Sequence, residues 1–320
     1  MEEYVLNLQD SNEVIKGLWW MLQKNHENFN EVLKNYIISE EIEQLKEFNV
    51  EYIEGKINID WDMIKLDNLK LKSFHFTTRD NAESIENIYN LQYLLSNDTD
   101  FNRFLIHHGV KFDLENFKVE IDNKVYTLKN KNNPLFDDMD WISHKIFQDF
   151  EVWGFARIRN IKDYNNDFPN NPEFISHVSE VVHSKSEFLK DWKEKYGEPY
   201  VIEFDKKISE IKISNGFFGN NKELISKDDF LNFKKGLLDL LISINMDNLT
   251  RIGIKHLVKN DEEHNKGLGN LWFLEKVYSQ SEPCLITVLL KNQNVYKKEI
   301  QKIWYLEEFE NFSRSVHGLR

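Results

Sequence analysis

A chain of 320 residues, 41% of them hydrophobic and 30% charged, can bury the core of one large domain or two small ones. Its 12 Gly, 5 Pro and lone cysteine, Cys284, exclude a collagen-like repeat, a low-complexity chain, a disulfide framework and a multi-thiolate zinc site. The formal charge of −13 repels nucleic acid at long range and disfavours a protein that coats DNA or RNA, although a local basic pocket stays open to it.

No stretch approaches the roughly 20 apolar residues that cross a bilayer, and the start MEEYVLNLQD lacks the basic-then-apolar order of a signal peptide. A cytoplasmic protein without a membrane partner is the expectation.

The chain opens with helical periodicity. Val14, Ile15, Leu18, Trp19 and Leu22 recur at three and four, as do Phe29, Val32, Leu33, Tyr36 and Ile37, and Ser39 followed by Glu40, Glu41 and Ile42 restarts a third helix. The pattern then changes: KINIDWDM alternates like a strand, and LKLKSFHFTT alternates again. A boundary near residue 70 follows, with a helical region over 1–70 and a mixed α+β domain over 71–320.

Asp80 with Glu83 has capping-box spacing and predicts a helix over 80–95, and a second helix follows over 98–108. VEIDNKVYTL reads as a hairpin turning at Asp122-Asn123. The acidic group Asp137, Asp138 and Asp140 lacks the glycine and terminal glutamate of a calcium loop and reads as a solvated loop.

Pro172 opens a helix, Ser184 and Glu187 box a second one that Gly197 ends, YVIEF is a buried strand, Ser226–Asn245 is helical, and CLITVLL is of strand length. Strands cluster irregularly and no glycine-rich strand-to-helix turn occurs, so α+β fits better than a doubly wound sheet.

The phosphate-cradling patterns GxxxxGK[ST] and GxGxxG are absent, as are GxSxG and HExxH. His177 and His183, six residues apart, fall on different helix faces, and the adjacent His107 and His108 point apart, so no metal site is expected. The most informative segment is Ser73-Phe74-His75-Phe76-Thr77-Thr78-Arg79-Asp80-Asn81. His75 and Thr77 are two apart and share one strand face, which sets an imidazole and a hydroxyl together where a polar ligand such as a ribose can be held. The structural alternative is a core histidine followed by threonines that cap the next helix.

The run HFTTRDNAESIENIYNLQYLL resembles the opening motif of the ADP-ribosyltransferase-like superfamily, which includes bacterial toxins and phage-defence proteins. The likeness covers about twenty-five residues and departs at Tyr89-Asn90-Leu91, where the superfamily has Gly-Leu. It implies a mixed, mostly antiparallel split sheet, with NAD as the co-substrate. It also implies that His75 contacts a ribose with Thr77 and Thr78 in support, and that Tyr89 or Tyr93 stacks on nicotinamide. A glutamate ahead of a late strand stabilises the oxocarbenium-like transition state; Glu282, just before CLITVLL, is the first choice, Glu275 the second and Glu203 the third.

The function implied is transfer of ADP-ribose from NAD to an unknown acceptor, protein, nucleic acid or small molecule, by a toxin or defence effector that an antitoxin or other protein partner could restrain. The alternative is a catalytically inactive component of a defence or counter-defence system that works by binding protein.

Overall fold

A computed structural model describes residues 3–39, 50–128, 137–158, 172–214, 227–255, 285–290 and 293–316. In chain order the elements are β1 (Tyr4–Leu6), α1 (Ser11–Leu22), α2 (His26–Ser39), α3 (Val50–Glu54), β2 (Leu69–Arg79), α4 (Leu91–Ser96), α5 (Asp100–His107), the short strands β3 (Val110–Asp113), β4 (Lys118–Ile121) and β5 (Lys124–Thr127), and α6 (Asp138–Phe147). They continue with β6 (Trp153–Arg157), α7 (Glu173–Val181), α8 (Lys185–Tyr196), β7 (Glu198–Lys207), β8 (Ile211–Ser214), α9 (Lys227–Lys255), β9 (Leu285–Leu289), β10 (Ile300–Tyr305) and α10 (Leu306–Val316). The expected α+β class holds.

The main sheet has seven strands in the order β10-β7-β2-β6-β9-β8, with β1 added alongside β2. All its pairings are antiparallel except β1 with β2. On β2 the buried residues change face midway: Leu69, Leu71 and Ser73 are buried on one side, then Phe74, Phe76 and Thr78 on the other. The first face carries a core in which Leu71 and Ile202 meet Leu18 and Leu22 of α1, Phe29 and Leu33 of α2 and Leu237 and Leu241 of α9. On the second face Phe74 and Phe76 pack on Phe309 of α10, with ring centroids 5.0 and 5.7 Å apart.

A separate core joins α4–α8 to the small β3-β4-β5 sheet and is built on Phe104, Ile142, Ile175, Phe188 and Trp192. In sequence this layer is inserted on either side of β6, so it caps one end of the main sheet.

The described residues before 70 share the sheet's core, which crosses the boundary expected near residue 70. The tie is polar as well as apolar. The Gln9 amide, fully buried, donates to the Ile158 carbonyl at 2.7 Å and to Ser313 Oγ at 2.9 Å, and its oxygen accepts the Ile158 N–H at 2.8 Å. Buried Arg157 donates to the Leu8 carbonyl at 2.7 Å.

Several local expectations are corrected. KINIDWDM forms turns: its Ile57 and Ile59, and Ile64 just after it, sink into the core without a strand partner, while the Trp61 indole bonds Glu54 at 2.6 Å. The helix expected over 80–95 is a single 3-10 turn, capped by Asn81, followed by extended chain and the short α4, capped by Asn90. The reason is tertiary, because the Ile88 backbone pairs with Val295.

Asp137 is the N-cap of α6, accepting the Asp140 N–H at 2.8 Å, so the acidic group is a helix start and not a loop. Ser184 makes no side-chain cap on α8, which does end at Gly197. The hairpin is present, with Asp122 and Asn123 both at positive φ, as a type I′ turn requires. The helix restart at Ser39–Ile42 lies largely outside the described residues.

Replacing Gln9 by leucine strands the buried Ile158 N–H, while the Ile158 carbonyl keeps the Ser313 hydroxyl at 3.1 Å, and is expected to cost about 1–3 kcal/mol. A urea midpoint at the wild-type value would contradict the role given to this amide.

Candidate functional site

β2 is paired along its length with β7, from Lys70 opposite Lys207 to Arg79 opposite Glu198. On its other edge it meets β1 at residues 69–71 and β6 only at Phe74 opposite Phe155. Beyond that point the two strands part, and a cavity of about 900 Å³ opens between the last residues of β2, the start of β6 and the helical cap. That volume is near the upper end of the roughly 300–1,000 Å³ of ligand pockets.

His75 sits where the strands part. Its Nδ1 lies 2.7 Å from the Trp153 carbonyl, which can only accept, so the proton is on Nδ1 and Nε2 is left as an acceptor. Burial pushes its pKa down to about 4, helped by the Arg79 charge and opposed by the bond to Trp153. The imidazole is therefore neutral at pH 7 and suited to accepting a hydroxyl proton.

Thr77 and Arg79 follow on the same face, and Nη1 of Arg79 donates to Thr77 Oγ1 at 2.7 Å and to the Thr78 carbonyl at 2.8 Å. Thr78 is on the opposite face. It still lines the cavity, and its hydroxyl is buried with no hydrogen-bond partner among the described residues.

After β2, Ser84 Oγ donates to Asp80 at 2.6 Å and the Asn81 side chain accepts the Ser84 N–H at 2.9 Å, which turns the chain across the cavity. Tyr89 is then held between the Ile88–Val295 bridge and the Asn90 cap, whose own N–H donates to Asn294 at 3.0 Å. Tyr89 lines the cavity and stacks on exposed Tyr93 with centroids 4.3 Å apart. The pair acts as one aromatic wall, of which Tyr89 is the inner member.

Most carboxylates around the cavity are already engaged. Asp149 and Glu173 both bind Lys145, the latter at 2.6 Å; burial pulls the Lys145 pKa down, but the two carboxylates outweigh it and hold the ammonium above its ordinary value. Glu86 pairs with Lys297 at 2.9 Å and Asp100 with Arg103 at 2.8 Å. Glu151, just before β6, makes no such bond among the described residues.

Glu203 is removed from the site by register: it stands opposite Phe74, on the face away from His75, where it accepts from Lys72 and from the Trp304 indole at 3.0 Å. Glu282 and Glu275 lie outside the described residues. Ile286, in the strand that follows Glu282, does line the cavity.

The structure thus brings together His75, Thr77, Thr78 and Tyr89, with Tyr93 behind. Sequence reading missed Arg79, Lys145, Trp153 and Glu151. Arg79 carried a usable signal, because strand alternation alone puts it on the face of His75 and Thr77; the others arrive from separate elements. His177 bonds Asp138 at 2.8 Å and stacks on Trp141, His183 is exposed, and among the described residues no group of histidines, cysteines and carboxylates could hold a metal. Among those residues, too, no helix is long and apolar enough to cross a membrane.

Because the folded pKa of His75 is below its unfolded value, its contribution to stability is present above about pH 6.5 and lost as pH falls towards 4. Wild type should therefore lose melting temperature relative to His75→Gln between pH 7 and 4. A ring-nitrogen NMR titration should find Nε2 unprotonated down to about pH 5; titration of this ring near pH 6.5 would contradict the assignment.

No family model, curated protein or solved structure matches the chain.

Proposed function

We propose that the chain is an NAD-dependent ADP-ribosyltransferase and that the cavity between β2 and β6 is its NAD site. The observation that carries this reading is His75: a neutral imidazole fixed through Nδ1 at the point where a mostly antiparallel sheet splits, with Nε2 left to accept a ribose hydroxyl. The resemblance of HFTTRDN implies the same combination of split sheet and strand-borne histidine. Thr77 supports the histidine from the same face, and Tyr89, backed by Tyr93, offers a flat surface for nicotinamide.

In the reaction the bond from the ribose C1′ to the nicotinamide nitrogen breaks with its electron pair going to nicotinamide. An acceptor lone pair closes on C1′ and the acceptor loses its proton to a base. Positive charge develops on the ribose, so a carboxylate beside it lowers the barrier. Glu282 is the residue assigned this role, because the chain reaches the cavity wall at Ile286 soon after it; Glu275 ranks second, being farther back from that strand. The superfamily likeness extends the proposal to a toxin or phage-defence effector held in check by a protein partner.

The test is to incubate purified protein with NAD, alone and with host lysate, following nicotinamide by chromatography and adducts by mass spectrometry. His75→Ala and Glu282→Gln should each reduce nicotinamide release by about 10²–10³-fold while the fold is retained. Glu275→Gln and Glu151→Gln run in parallel assign the carboxylate. Absence of turnover, together with no NAD-induced thermal shift, would reject the transferase and leave the inactive protein-binding component as the reading.

A further inference from the structure

Arg79 lines the cavity and takes no part in the ribose and nicotinamide contacts. A guanidinium has five N–H donors in a rigid plane. Nη1 is committed to Thr77 Oγ1 and the Thr78 carbonyl, both on its own strand, whereas Nε and Nη2 donate to nothing among the described residues. Fixing Nη1 fixes the plane, so the Nε–Nη2 edge, the one that pairs bidentately with carboxylates and phosphates, is held in place and unoccupied by protein.

The charge also has no ion-pair partner at contact distance among the described residues: none of their carboxylates comes within 4 Å of it, although acidic groups are close in sequence and register. Asp80 bonds Ser84 and, with Tyr196, attracts the guanidinium from beyond contact distance; Asp100 pairs with Arg103, and Glu198, opposite Arg79 across the sheet, is exposed. Burial pulls the Arg79 pKa down from its ordinary value, the sign of a cation kept from water without full compensation.

Lys145 differs, being bound to Asp149 and Glu173. A second cation of the wall is Lys195, exposed in the last turn of α8, with no carboxylate partner among the described residues and its ammonium 5.1 Å from the centre of the Tyr196 ring.

We propose that Arg79 is an anion anchor whose Nε–Nη2 edge grips a phosphate or diphosphate group of the ligand, with Lys195 adding positive charge at the rim. Thr77 completes the anchor: its oxygen already accepts from Arg79, so its own proton is available to a ligand oxygen. Within the NAD reading, on which this last identification rests, the group held is the diphosphate. The anchor itself needs only a phosphate-bearing ligand.

Titration calorimetry with inorganic pyrophosphate, ADP-ribose and adenosine tests it. Wild type should bind pyrophosphate and ADP-ribose, and Arg79→Gln should weaken both by roughly tenfold or more while leaving adenosine unchanged. Arg79→Lys keeps the charge but loses the fork and should fall between. It also carries the test if the glutamine variant does not fold.

Wild-type affinity for ADP-ribose in Arg79→Lys and Arg79→Gln, or adenosine binding wild type as tightly as ADP-ribose, would overturn the anchor. Pyrophosphate binding that depends on Arg79 without any NAD turnover would reject the transferase and keep the anchor. His75-dependent NAD turnover with an unchanged KM in Arg79→Gln would do the reverse.

Discussion

The site depends on one hydrogen bond, from the His75 imidazole to the Trp153 carbonyl at 2.7 Å. Where β2 and β6 would have continued as a backbone ladder, a side chain takes over the carbonyl and the strands separate. The Trp153 carbonyl accepts from this side chain at the place where the ladder stops, so the imidazole is oriented at the split by that contact. Its tautomer, its neutrality and the direction of Nε2 follow from this single contact.

Everything that makes the cavity polar is arranged around that split. The β2 face that buries Leu69 and Leu71 under α1 and α9 outruns those helices, and the same alternation then presents His75, Thr77 and Arg79 to open space. The helical cap supplies the opposite wall and settles its own electrostatics locally: Lys145 neutralises Asp149 and Glu173, and Arg103 neutralises Asp100. The strand-borne guanidinium has no such partner among the described residues.

The N-terminal helices contribute to the same construction from below. β1 lengthens the sheet, Gln9 and Arg157 stitch the first turn of chain to the end of β6, and α1 and α2 pack on α9 beneath β2. A region whose periodicity looks self-contained is thereby part of the floor on which the histidine strand lies. Nothing in the spacing of Leu18, Leu22, Phe29 and Leu33 reveals which surface their apolar stripe will cover.

The sequence by itself determined what local physics controls: the helices of the first forty residues, the alternating strand through His75, the hairpin at Asp122-Asn123, the helix ending at Gly197, and the common face of His75 and Thr77. These depend on periodicity, turn chemistry and side-chain alternation, which act over a few residues. Tertiary structure decided the rest. Residues 85–90 are extended after a single 3-10 turn, in place of an α-helix, because Ile88 pairs with Val295, more than two hundred residues away in sequence. KINIDWDM is a set of turns because its isoleucines found a core before they found a strand. Glu203 is excluded and Trp153, Lys145 and Glu151 are included because register and packing, which no local pattern encodes, choose the side of the sheet and the elements that face the split.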